Sequence, residues 1–125
     1  IAGDFGGAKG PARTFTPMNV WDVRLSGRAT FELPEGHTLA VVVMKGAVTA
    51  GAGVRANEGQ TIVFARDGGE ISLEAEGEAA VLILSGEPID EPMVSHGPFV
   101  MNSEDEIVRA LTDFQAGRFG RMRAA

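Results

Sequence analysis

The chain contains no cysteine and only two histidines among its 125 residues. Without cysteine there are no disulfides, no thiolate metal ligands and no cysteine nucleophile, which suits a reducing compartment. Basic charge is scarce as well. With 11 Lys and Arg against 17 Asp and Glu, the net charge is −6, so the surface field repels phosphate backbones and excludes direct nucleic-acid binding as the default role. Long apolar runs are missing too. The longest, Leu39 to Met44, is far too short to cross a bilayer, and the opening residues lack the basic and apolar regions of a secretory signal. Together these absences predict a cytoplasmic protein without a membrane partner. Ile1 is not an initiator methionine, so the chain is expected to be processed or a piece of a longer protein.

What the chain has in quantity is glycine. Seventeen glycines and six prolines, set against 44% hydrophobic residues, describe many tight turns between short apolar segments and favour an all-β barrel over a helical bundle. A chain of this length buries roughly two-thirds of the surface its unfolded form exposes, enough for one core. Residues 1–17, rich in glycine and carrying Pro11 and Pro17, read as an extended arm with little intrinsic preference for regular structure.

Residues 18–102 read as one β-barrel, with strand patterning from Val20 and an extended connection marked by Pro88, Pro92 and Pro98 after Gly86. Trp21, Val23 and Leu25 alternate with polar residues, and Ala29, Phe31 and Leu33 continue after Ser26-Gly27, which predicts a hairpin. Leu39 to Met44 is continuously apolar, as in a strand covered on both faces. Further short strands follow over 47–50, 61–64, 71–75 and 79–84, the last two separated by a turn at Glu76-Gly77-Glu78. About eight short strands at this spacing indicate a jelly-roll barrel.

Residues 103–120 hold the one convincing helix and its tail, expected to belong to the same domain. Ser103 and Glu106 have the spacing of a capping box, Glu104 and Asp105 complement the positive helix end, and Gly117 is placed to stop the helix. Ile107, Val108, Leu111 and Phe114 form an apolar stripe that must pack on a neighbouring surface, its own barrel in the simplest case.

The segment His96-Gly97-Pro98-Phe99-Val100-Met101-Asn102, running into this helix and closing on Gln115-Ala116-Gly117-Arg118-Phe119-Gly120, resembles the carboxy-terminal signature of the pirin family. Gly6-Gly7-Ala8-Lys9-Gly10-Pro11-Ala12 is similar to the segment that opens the second of that family's two cupin barrels. The resemblance implies a cupin jelly-roll β-barrel with an extended N-terminal arm and one C-terminal α-helix. It also implies iron or another divalent metal in the first barrel. That barrel carries the ligand histidines and glutamate, and nothing like that stretch is present here. Some members oxidise flavonols such as quercetin, a quercetin 2,3-dioxygenase activity, and others act as transcription cofactors.

Laid on the second cupin motif, Gly51 and Gly59 fill the glycine positions, Asn57 and Glu58 the turn between them, and Arg66 closes the motif. Ile62 stands where the ligand histidine belongs, and an alkyl side chain cannot coordinate a metal. In the first motif Gly46 fills the closing glycine, which puts Leu39 or Ala40 at the glutamate position. The expectation is therefore a chain with no catalytic residue, no cofactor site and no metal site of its own. It reads as the metal-free second half of a pirin-like protein, with a structural and partner-presenting task. Its expected partners are the N-terminal cupin domain of the same protein and either another protein or a second copy. The alternative is a stand-alone cupin that binds a small apolar ligand in a barrel lined by Phe31, Val41, Val43, Ile62, Phe64 and Leu73.

Both histidines read as structural. His37, beside the Pro34-Glu35-Gly36 turn, is expected to hydrogen-bond at the barrel rim. His96 is expected to fix the loop of the signature, in which Gly97, Pro98, Phe99 and Asn102 are structural as well. Gly6-Gly7-Ala8-Lys9-Gly10 fails as a phosphate loop, because no strand precedes it and no Lys-Ser or Lys-Thr pair follows. Arg118, Arg121 and Arg123 read as a solvated tail.

Overall fold

The computed structural model describes residues 1–51 and 53–122, so Arg123 lies outside the described residues. Ten strands and one helix follow in order: β1 (Asp4–Phe5), β2 (Ala8–Lys9), β3 (Met18–Glu32), β4 (Thr38–Lys45), β5 (Ala47–Ala50), β6 (Val54–Asn57), β7 (Thr61–Phe64), β8 (Glu70–Gly86), β9 (Val94–His96), β10 (Phe99–Met101) and α1 (Glu104–Gln115). They form two compact units, Ile1–Pro88 and Ile89–Ala125.

The first unit is an antiparallel jelly roll built around β8. β3 pairs with β8 along its whole length, β4 and β5 pair with successive parts of β8, and β7 and β6 flank these in turn. The predicted hairpin at Ser26-Gly27 does not form. β3 runs straight through, and the turn predicted at Glu76-Gly77-Glu78 is likewise internal to β8.

Both breaks are bulges in one ladder. Ser26 lies opposite Glu78 and Gly27 opposite Ala75, which leaves Glu76 and Gly77 as the extra residues of β8. Gly27 and Gly77 take positive φ values of 74° and 83°, so the two strands bend together where a turn would have reversed them. A further shift in the β4–β8 register between Val43 and Lys45 precedes Gly46. A Cβ on Gly46 would lie 2.6 Å from the carbonyl oxygen of Glu78, so only glycine lets β4 pass into β5 there.

Side chains pointing inward form one continuous core. Trp21, Leu25 and Phe31 from β3 meet Leu39, Val41 and Val43 from β4, Val48 from β5, Ile62 from β7, and Ile71, Leu73, Val81 and Ile83 from β8. β4 is covered less completely than its unbroken apolar run suggested. Leu39, Val41 and Val43 are buried, while Ala40 and Val42 on the other face are half-buried.

The arm is structured rather than irregular. Ala2 and Val20 exchange two backbone hydrogen bonds of 3.2 and 3.0 Å, and β1 and β2 make a small hairpin whose Asp4 side chain accepts from the Gly7 N–H at 2.9 Å. Phe5 from that hairpin stands edge-on to Trp21, with ring centroids 4.9 Å apart.

The barrel sheet ends at Gly86, so residues 87–102 do not belong to it as expected. In the second unit β9 and β10 form a separate hairpin, and α1 contacts both strands. Its turn is Gly97-Pro98. Gly97 takes a φ of 56° and proline holds a negative φ at the next position, which is the pattern of a type II′ turn. Both ends of α1 close as predicted. The Ser103 hydroxyl accepts from the Glu106 N–H at 3.4 Å, and the Glu106 carboxylate accepts from the Ser103 N–H at 3.0 Å. At the other end Gly117, with φ 70°, donates to the Phe114 carbonyl and Arg118 to that of Asp113, completing a Schellman motif. The stripe is shifted from its predicted position. Ile107 and Ala110 are buried and Leu111 is half-buried, but Val108 and Phe114 are exposed.

Candidate functional site

The place where a cupin holds its metal is the barrel interior, and here that space is filled by hydrocarbon. Ile62 lies on β7 opposite Val41, and Leu39 lies on β4 opposite Phe64. Both belong to the buried core. Ala40, the other residue aligned with the glutamate, is half-buried on the alternate face of β4. The frame around these positions matches the motif, since Gly59 carries a φ of 79° in the turn before β7 and Gly46 passes closely under Glu78. Hard, oxygen- and nitrogen-seeking cations need several lone pairs converging on one point, and these side chains offer none. Among the described residues there is no group of three or more His, Cys, Asp or Glu that could hold a metal ion. The residues present do not fit a resident metal.

The six residues proposed to line a ligand pocket do not together line any one of the cavities described here. Phe31, Val41, Val43, Ile62 and Leu73 are members of the packed core, and Phe64 packs against it. Val41, Val43 and Leu73 have no exposed surface. Among the described residues cavities open elsewhere, and of the six only Phe64 reaches one of those described here. One, about 790 Å³, is lined by Asp22, Arg24, Lys45 and Glu78 among others, near the bulges of β3 and β8. A second, about 450 Å³, lies between the arm and β3. A third, about 170 Å³, is lined by His37, Leu39, Phe64 and Asp67 among others.

His37 is the one histidine of the first unit. Its Nδ1 shares a hydrogen bond of 2.9 Å with the Ser85 hydroxyl, and Ser85 is the one buried polar side chain described. The rim hydrogen bond expected of His37 is therefore present. A Ser–His pair suggests a nucleophile, but Ser85 is only 4% exposed and lacks the third group that orients a catalytic histidine, so the contact satisfies a buried hydroxyl.

Two exposed ion pairs shift the ionisation of their members. The Arg55 guanidinium grips Glu76 through two hydrogen bonds of 2.6 and 2.8 Å, and holds that carboxyl below its ordinary value. Arg28 and Glu74, cross-strand partners on β3 and β8, pair at 2.6 Å, and the hydrogen bond raises the arginine further. Both pairs brace the ladder beside the bulges.

In the second unit the signature segment is held together differently from expectation. His96 is exposed on β9, and the ties described there run through Asn102 instead. The Asn102 amide donates to Glu91 and to the Pro92 carbonyl, each at 2.9 Å, while its backbone N–H donates to Glu106 at 3.1 Å. Asn102, at the helix entrance, thus ties three partners, two through its side-chain amide and one through its backbone N–H. Phe99, Phe114 and Phe119 complete the unit as a mutually edge-on trio with centroids 5.9 to 6.2 Å apart. The sequence marks Phe99 and Phe119 within the signature and Phe114 within the helix stripe, but not their contact with one another. Phe114 and Phe119 follow the helix stripe and its closing loop, a spacing that becomes visible once the Schellman turn is recognised.

Residues 20–120 match the family model described as the pirin C-terminal cupin domain. A Pseudomonas aeruginosa protein named as a candidate quercetin 2,3-dioxygenase is 46% identical over 123 residues, covering 97% of this chain and 43% of its own length. Human pirin is 31% identical over 131 residues, covering 99% and 45%. The crystal structure of a quercetin 2,3-dioxygenase from Acinetobacter baumannii superposes with a TM-score of 0.91 at 44% identity, over 98% of this chain and 43% of that one. The chain thus spans less than half the length of these relatives. With the cupin frame intact and the match extending over most of its length, the chain belongs to the pirin family and corresponds to its C-terminal cupin domain.

Proposed function

We propose that this domain is the metal-free, structural half of a pirin-like protein, supporting a metal-bearing barrel and presenting surface to partners. The observation that carries this reading is the burial of Ile62 and Leu39 in an aliphatic core at the positions where ligands would sit. A scaffold half needs a rigid frame and no reactive interior. The intact protein would hold iron or another divalent metal in its N-terminal cupin and act either on flavonols, as a quercetin 2,3-dioxygenase, or as a transcription cofactor. Those roles would place it in the cytoplasm, or in the nucleus of a eukaryotic cell. No helix among the described residues is long and apolar enough to cross a membrane.

The test is a thermal melt of the chain with and without ferrous iron, followed by a turnover assay with quercetin. A metal held only by the folded state must raise the melting temperature. The expected result is an unchanged melt and no turnover. A rise of several degrees would refute the reading, as would stoichiometric iron in the purified chain.

A further inference from the structure

β3 has an unpaired edge that points to how the rest of the protein attaches. One edge of β3 is bonded to β8 throughout, while among the described residues its other edge is paired only at Val20, by Ala2. Backbone N–H and C=O groups alternate between the two sides of a strand. Since Val20 turns toward the arm, Asp22 and Arg24 turn their donors and acceptors to the same side, where the described residues offer them no strand. An open edge of this kind is a template for a further strand.

Three observations say what covers it. First, the Ala2–Val20 pair is antiparallel, so a chain leading into Ile1 would travel along β3 past Arg24 and then Asp22. Ile1 directly precedes that pair. Its carbonyl faces away from β3 and accepts from the Ala12 N–H at 3.1 Å, and a Cβ on Gly10 would come within 2.4 Å of that oxygen. Second, the cavity of about 450 Å³ lies on this path, walled by Ile1, Phe5, Lys9, Trp21, Asp22 and Arg24 among others. Third, Trp21 in that wall is 7% exposed, and its Nε1 is the buried side-chain donor without a partner among the described residues. A buried indole N–H normally finds an acceptor.

Resting on the reading that this domain is one half of a longer protein, we propose that the residues leading into Ile1 there form a short strand on β3. That strand pairs with Asp22 and Arg24, fills the cavity and brings a carbonyl within reach of Trp21. The bulge at Ser26/Gly27 limits the pairing to a few residues. Tethering favours this occupant over a second copy, because a covalently linked segment acts at a high effective concentration.

Amide hydrogen exchange, resolved by residue, tests this in a form of the protein that carries the preceding residues. Trp21 and Val23, bonded to β8, serve as internal standards. The expected result is exchange at Asp22 and Arg24 slowed at least about tenfold relative to unpaired edge amides, approaching the rate of the two standards. Free exchange at Asp22 and Arg24 beside protected Trp21 and Val23 would overturn the proposal. So would protection that is already present in the 125-residue chain and grows with its concentration, since the occupant would then be a second copy. Neither result bears on iron binding, so the scaffold reading stands or falls separately.

Discussion

Val81, Ile83 and Leu73 in the first unit have no exposed surface, whereas Phe114 and Phe119 in the second leave 60% and 59% of theirs in water. The barrel derives its stability from apolar area removed from solvent, contributed by residues far apart in sequence. The second unit relies on local hydrogen bonds: a two-residue turn, a capping box, an Asn102 clamp and a Schellman closure, all within about thirty residues of chain. The comparison explains why the recognisable signature lies in the second unit although the cupin frame is the first. Backbone hydrogen bonds at caps and turns demand particular residues. An aliphatic interior demands only volume, and tolerates exchange among Val, Ile and Leu.

The sharpest way to test this difference is to delete comparable apolar mass from each unit. Leu73→Ala is expected to cost about 3–4 kcal/mol in denaturant unfolding, as for other buried leucines. Phe114→Ala is expected to cost about 1 kcal/mol, the worth of its edge-on contacts at an exposed site. Equal losses would show that the aromatic trio is a true core. The next effect in size is at the close backbone passage in the barrel. Gly46→Ala combines a φ of 78° with a Cβ 2.6 Å from the Glu78 oxygen, for an expected loss of about 2–3 kcal/mol. A neutral outcome would mean that β4 and β5 can part there without harm.

The same contrast governs what could be read from sequence. Caps, turn residues and the apolar stripe are local patterns, so α1 was legible to the residue at its N-cap and its terminating glycine. The jelly-roll class was legible from the density of strands and glycines. The long strands were not, because a bulge and a turn use the same residues. One signal did distinguish them. A two-residue turn at Ser26-Gly27 would set Leu25 opposite Arg28 on the same face, yet the apolar residues resume at Ala29 and Phe31, the phase of a strand that continues. At Glu76-Gly77-Glu78 no such conflict exists, since a three-residue turn would pair Ala75 with Ala79 on the same face. There the bulge is fixed only by the partner strand. For the site, Ile62 was identified by counting along a motif, but the filled interior behind it depends on packing between β3, β4, β7 and β8 that no spacing encodes. The role of Asn102 was hidden for the same reason, as two of its partners lie ten and eleven residues upstream.

In the second unit the expected effects are smaller. Ser103→Ala removes the hydroxyl that accepts from the Glu106 N–H, and should lower stability by about 1 kcal/mol while the barrel is unaffected. Residue-resolved exchange would show faster opening of α1 alone. Equal acceleration at Val81 would contradict the local character of this unit.

The smallest effect concerns the ion pair braced across the β8 bulge. Arg55 holds the Glu76 carboxyl below its ordinary value of 4.5, so the folded state favours the ionised form. A depressed carboxyl contributes stability that is present above the unfolded value and is lost as the pH falls through the lower, folded one. The advantage of the wild type over Glu76→Gln should therefore be visible near neutral pH and shrink as the pH drops below 4.5. Added salt should shrink it too, because the pair is exposed and screened. Melting temperatures of the two proteins across an acid titration would measure it. A difference that persists undiminished in acid would mean that Glu76 acts through the geometry of the bulge rather than through its charge.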